Sequence, residues 1–286
     1  TQIARDLASA ARESDLAATE SHCSRAIAAM RSQGPPEDGS QAIQVLKVLR
    51  SKRDLTLLQR AADAYMQCGM DHPIVRKFYA QALLDQGSVS AALTFLQALE
   101  QDLADQPEHA GDLAEARGLL GRAWKQIYVD TCNPDSAQAR TALNNSVVAY
   151  YTVYRSEPAE YSWHGINTAA LLHRAAADGV KVNGVADPDW RCIALAEEIL
   201  AQMERKWLNN RATMWDCGTA MEACVALSRK KEAREWLNRY VREPDCDAFE
   251  LGSILSQMQE VWRLQAQEEP GASLLPVLQA EQLKRQ

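Results

Sequence analysis

The chain has 286 residues, 47% hydrophobic and 24% charged, an ordinary balance for a globular protein. Its formal net charge of -7 argues against a general nucleic-acid binder, which needs a basic face to neutralise phosphates. No run approaches the ~18 consecutive apolar residues of a membrane span, and no charged-then-apolar leader stands at the start, so a cytoplasmic location is expected.

The first residue is Thr1 rather than Met, which leads us to expect a segment upstream. Apolar residues recur at three and four spacing almost throughout, the period of helices, and strand signals are nearly absent. The ten prolines are expected at helix starts and in loops, because one inside a helix costs about 3 kcal/mol.

The first helical region is predicted over Gln2 to Arg31, with a break near Ser14 and Asp15, where a cap can start a second helix. A boundary loop follows from Ser32 to Ser40, holding Gly34, Pro35, Pro36 and Gly39. Residues 1–34 are thus expected to form a cap or linker ahead of an array over 41–267, with 268–286 as a tail that adds a short helix after Pro270 or frays. Helices are predicted near Gln41 to Ser51 and Leu55 to Gln67, with Gly69 ending the latter.

The clearest repeat runs from Pro73 to Pro107, with helices over Pro73 to Gln86 and Val89 to Ala104. Ala80, Leu83, Gly87, Ala92, Leu96 and Leu99 follow the tetratricopeptide order: small, large, turn glycine, small, large, large. Such a hairpin cannot bury its own apolar face and must stack on neighbours. Further pairs are predicted over Gly111 to Asp130 and Asp135 to Ser156, Ala159 to Ala177 and Pro188 to Trp207, then Ala212 to Leu227 and Lys231 to Val241. A last helix is predicted over Asp247 to Gln267. The fold class is therefore all-α, a tetratricopeptide-like helical-hairpin solenoid.

The search for chemistry returns little. No phosphate-cradling glycine loop, no Gly-x-Ser-x-Gly and no His-Glu-x-x-His is present, so no catalytic residue, metal or cofactor is expected. Cys68, Asp71 and His72 lie close together but lack a matched second pair of zinc ligands; packing of Cys68 and helix opening by His72 is the simpler reading. Seven cysteines, an odd number without a Cys-x-x-Cys pair, read as free thiols in a reducing compartment. Cys217 and Cys224, seven apart on one helix face, read as core packing.

Gly118 and Gly121 each cost about 1 kcal/mol mid-helix, which calls for a close helix–helix approach. On the same helix Arg122 and Lys125 lie three apart. A solvated face is the usual fate of such a pair; a positive patch for an acidic partner is the functional reading. Tyr150, Tyr151, Tyr154, Tyr161 and Trp163 make a dense aromatic stretch, expected to be mostly core. His164 and Asn167 stand beside it, three apart. A His164–Asp216 acid–base pair has no nucleophile or spacing to support it.

Four blocks carry a resemblance: Gly118 to Lys125, Tyr150-Tyr151, Tyr161 to Leu172 with its Gly165-Ile166-Asn167, and Ala248 to Trp262. Together with Val75 to Gly87, they resemble the TRAFs-binding domain of the apoptosis signal-regulating kinases and of many bacterial multidomain proteins. Gln126 and His164 depart from that pattern. The resemblance implies a regulatory interaction module that docks a protein or peptide partner, such as a fused or associated peptidase, and has no catalysis of its own. Arg122, Lys125, His164, Asn167 and Asp216 are expected to form the polar part of the docking face. A nucleotide or anion sensor bound through Arg122 and Lys125 is the alternative.

Overall fold

The computed structural model describes residues 2–13, 15–34 and 39–285, and among these it forms fourteen α-helices and no strand beyond one isolated bridge, Val182 to Val185. This is the all-α, tetratricopeptide-like class that the spacing predicts. No helix among the described residues is long and apolar enough to cross a membrane. The chain divides into two compact units, one ending at Leu119 and one running from Leu120 to Lys284.

The first unit contains α1 (Gln2–Arg12), α2 (Leu16–Gln33), α3 (Ser40–Ser51), α4 (Leu55–Gln67), α5 (Pro73–Asp85) and α6 (Val89–Leu103). Asp15 caps α2 by accepting from the Ala18 amide, so the expected break is an N-cap. Ser14 and residues 35–38 of the expected boundary loop lie outside the described residues. Helices α1 and α2 share a core with α3 to α5, through Leu7, Cys23, Ile27, Val45, Leu46, Leu58 and Tyr65. In the hairpin of α5 and α6, Ala80, Ala92, Leu96 and Leu99 are fully buried, as the repeat spacing demands. Gly87 turns the chain at φ 79, a left-handed conformation that suits glycine. His72 opens α5, its Nδ1 accepting from the Ile74 amide. Lys77 on α5 is buried between Asp112, at 2.7 Å, and Glu115.

The second unit begins within α7 (Ala110–Val129) and contains α8 (Ala137–Ser156), α9 (Ser162–Asp178), α10 (Pro188–Leu208), α11 (Met214–Ala226), α12 (Lys230–Tyr240), α13 (Ala248–Ser256) and α14 (Gly271–Arg285). Helix α9 packs on α8, α10 and α11, and α12 packs on α11. Tyr150, Ile166, Leu171, Ile199, Met221 and Leu237 belong to their common core. Cys217 and Cys224 are fully buried in it, and burial pushes their thiols up to about 11 and about 12.

One expectation fails in the C-terminal part. The last predicted helix is too long: α13 ends at Ser256 and passes into a single π turn, Gln257–Val261. Beyond it the short helix allowed for after Pro270 is α14, which carries Pro276 inside rather than at its start. Leu274, Leu275 and Leu278 are buried there, and apolar packing outweighs one missing backbone hydrogen bond.

Candidate functional site: a polar centre on helix α9

Helix α9 carries Asn167, Arg174 and Asp178, at steps of seven and four, which place them on one face. That face meets side chains of α7 and α11 and the Gln257–Arg263 segment. Close helix approach makes the arrangement possible. A Cβ at Gly121 would lie 2.8 Å from the Tyr150 ring, and one at Gly165 would lie 2.7 Å from the Tyr154 ring. The buried Ser146 hydroxyl donates to the Gly121 carbonyl at 2.7 Å and so fastens α8 to α7. Gly121 thus has the packing role that its mid-helix cost calls for.

At the centre lies Lys125. Its Nζ donates to Asn167 Oδ1 at 2.9 Å and to Gln257 Oε1 at 2.7 Å. Gln257 Nε2 in turn donates to Glu222 Oε2 at 3.1 Å and to Asn167 Oδ1 at 3.3 Å. The Trp262 indole N–H donates to the same Glu222 oxygen at 2.8 Å. A cation and a carboxylate are therefore both kept inside the hairpins, joined through the amide of Gln257. Burial, helped by the nearby Arg122 charge, pushes Lys125 down to about 8. Burial raises Glu222, while the Trp262 and Gln257 donors pull the other way. Each shift is the signature of a charge taken out of water.

Further along α9, Asp178 accepts from Arg174 at 2.8 Å, from the Tyr128 hydroxyl at 2.9 Å and pairs with Arg263 at 2.8 Å. Arg174 also donates to the Glu260 carbonyl. The polar face of α9 is thus covered along its length by the chain's own Gln257–Arg263 segment.

The expected docking residues divide accordingly. Lys125 and Asn167 are hydrogen-bonded to each other, and Arg122, half-buried, lies close enough to act on the Lys125 charge. His164 is buried beside them among aromatic rings, 5.0 Å from Trp163, 5.5 Å from Tyr161 and 6.1 Å from Tyr150. Asp216 does not join them. It forms a capping box with Thr213 at the start of α11 and pairs with Lys206 at 2.6 Å. The Thr213-x-x-Asp216 spacing is itself the sequence signal for that role.

Glu222, Gln257 and Trp262 stand outside the expected set. A single carboxylate in the otherwise uncharged run from Cys217 to Ala226 was the available signal for Glu222. Gln257 and Trp262 carried none beyond their place in the Ala248-to-Trp262 block. Among the described residues no group of three His, Cys, Asp or Glu side chains is placed to hold a metal ion.

The family model described as Tetratricopeptide Repeats-Sensor matches residues 55–172, from the start of α4 into α9. The matched stretch includes Arg122, Lys125, His164 and Asn167, whereas Glu222 and Gln257 lie beyond it. The chain carries tetratricopeptide-type repeats. No curated protein matches it.

Proposed function

We propose that this chain is a regulatory docking module of the TRAFs-binding type. It binds a protein or peptide partner and controls an effector, such as a fused or associated peptidase, within a larger bacterial signalling protein. It does so by docking, without catalysis. The observation that carries this reading is the Lys125–Gln257–Glu222 relay. Replacing a buried ion pair by apolar residues is often neutral or stabilising. A charged centre kept inside an array of hairpins is thus poorly explained by stability, and well explained by recognition. Tetratricopeptide-type repeats bind partners along helical faces of this kind, and "sensor" in the family description fits a regulatory role.

The test is affinity capture with the intact protein. Partner capture should be lost with Lys125→Met and with Arg122→Glu, and kept with Trp190→Ala, which changes an exposed aromatic outside the polar centre. Capture unchanged by both charge variants would remove the polar centre from the docking face.

A second reading is favoured by one further observation. The buried Tyr150 hydroxyl has no hydrogen-bond partner, and Lys125 lies 5.8 Å from the centre of that ring. An anion held by Arg122, Lys125 and Tyr150 would make the module a small-molecule sensor. A thermal-shift screen with inorganic phosphate and nucleotides separates the two readings, because a ligand of the folded state raises its melting temperature. A shift of several degrees favours the sensor.

A further inference from the structure

The contacts of Gln257 define the shape and polarity of the space it fills. On one side stands a donor, Lys125 Nζ; on the other stand two acceptors, Glu222 Oε2 and Asn167 Oδ1. A carboxylate there would satisfy Lys125 but face Glu222 with like charge. An ammonium would satisfy Glu222 but face Lys125. A hydroxyl has one hydrogen, too few for both acceptors. A primary carboxamide, with one acceptor oxygen and two N–H donors in a plane, meets all three walls.

The segment that delivers Gln257 differs from the helices around it. It is a π turn, a form concentrated at functional sites. Two residues beyond the turn stands Arg263, which sits at φ 54, a left-handed conformation unfavourable for arginine. Its outermost tie, Arg263 to Asp178, starts from a half-exposed side chain. The residues that follow, 263–270, have no regular structure before α14.

We propose that Gln257 is an internal stand-in for a partner: the slot between Lys125 and Glu222 recognises the carboxamide of a glutamine or asparagine in a docking peptide, and the Gln257–Arg263 segment holds the slot closed until that peptide displaces it. Trp262, whose indole shares Glu222 with Gln257, marks the aromatic position such a peptide carries five residues further on. This inference rests on the docking reading and names the chemistry of the partner.

The test uses the full chain and a labelled peptide copying residues 248–264. The peptide should bind the Gln257→Ala chain at least about tenfold more tightly than the wild-type chain, a difference of about 1.4 kcal/mol. Adding Lys125→Met should abolish that gain, and a peptide with leucine in place of its slot glutamine should not bind. A folded Gln257→Ala chain that binds no more tightly than wild type overturns the proposal, as does equal binding of the leucine peptide. If Gln257→Ala does not fold, Arg263→Asn decides. Asparagine tolerates the left-handed backbone and removes the ion pair, so hydrogen exchange over residues 257–263 should quicken by about tenfold, as expected for a local opening made easier; unchanged exchange overturns the proposal. A failed peptide titration beside Lys125-dependent partner capture sinks the slot alone, whereas Lys125-independent capture sinks the docking reading.

Discussion

Gly121 lies against the face of Tyr150 so closely that a single added methyl group would stand 2.8 Å from the ring. Tyr150 is fully buried, with Trp163 edge-on at 5.7 Å, and has no open side toward which to yield. Gly121→Ala is therefore expected to destabilise the chain by about 1–3 kcal/mol, the usual cost of overpacking. That is opposite in sign to the gain of about 1 kcal/mol that alanine brings to an exposed helix. A urea denaturation midpoint that falls supports the close approach; one that rises excludes it.

Asp216 makes a contrasting case. As the N3 partner of the Thr213 N-cap it should cost about 1 kcal/mol on change to alanine, the scale of a lost helix cap. Because it does not touch the polar centre, Asp216→Ala should leave partner capture intact in chains that remain folded. Loss of capture at full stability would return Asp216 to the docking face.

These two residues also show what the sequence made legible. Helix spacing, turn glycines and proline punctuation act locally, so thirteen of the fourteen helices were readable as elements or as parts of one predicted element, and the Gly87 turn with them. The exception, α14, has a proline in its interior that reads as a breaker, so the sequence left a short helix or a frayed tail open there, and burial of its leucines decides for the helix. The polar centre is different in kind. Lys125 and Gln257 are 132 residues apart, and their meeting is decided by hairpin stacking, which no local pattern encodes. Arg122 and Lys125 follow the spacing of a solvated pair; what removes Lys125 from water is α9 and the π turn.

The polar centre should leave a mark on the pH dependence of stability. In the unfolded chain the Lys125 amine holds its proton up to about its ordinary 10.5, whereas in the folded chain it does so only to about 8. Between those values the unfolded state binds more protons, so this group makes stability rise with pH. Other groups titrate in the same range, notably the buried thiols of Cys23 and Cys192, raised to about 11 and about 12 by burial, which act in the opposite sense. The difference isolates Lys125: relative to Lys125→Met, the wild-type chain should gain stability from pH 8 to pH 10. A flat difference in paired denaturation curves would mean that the amine is not desolvated.

Thiol labelling tests the burial of the cysteines. Cys132 is exposed, whereas Cys23, Cys192, Cys217, Cys224 and Cys246 are buried. Only a thiolate reacts readily, and at Cys23, Cys217 and Cys224 burial suppresses it more than the nearby arginines favour it. Brief alkylation of the native chain should modify Cys132 first, with the buried five reacting only after denaturant is added. Mass mapping that finds Cys217 or Cys224 modified early would contradict the packing of α11.

The central claim is that the Lys125–Gln257–Glu222 relay serves recognition rather than stability. Its most direct test is the stability of the triple variant Lys125→Met, Glu222→Leu, Gln257→Leu, measured by urea denaturation beside partner capture. The account predicts a folded chain within about 1 kcal/mol of wild type, or more stable, because an apolar replacement avoids the cost of burying charge, together with loss of capture. A triple variant that is strongly destabilised, or that captures the partner as wild type does, would contradict it.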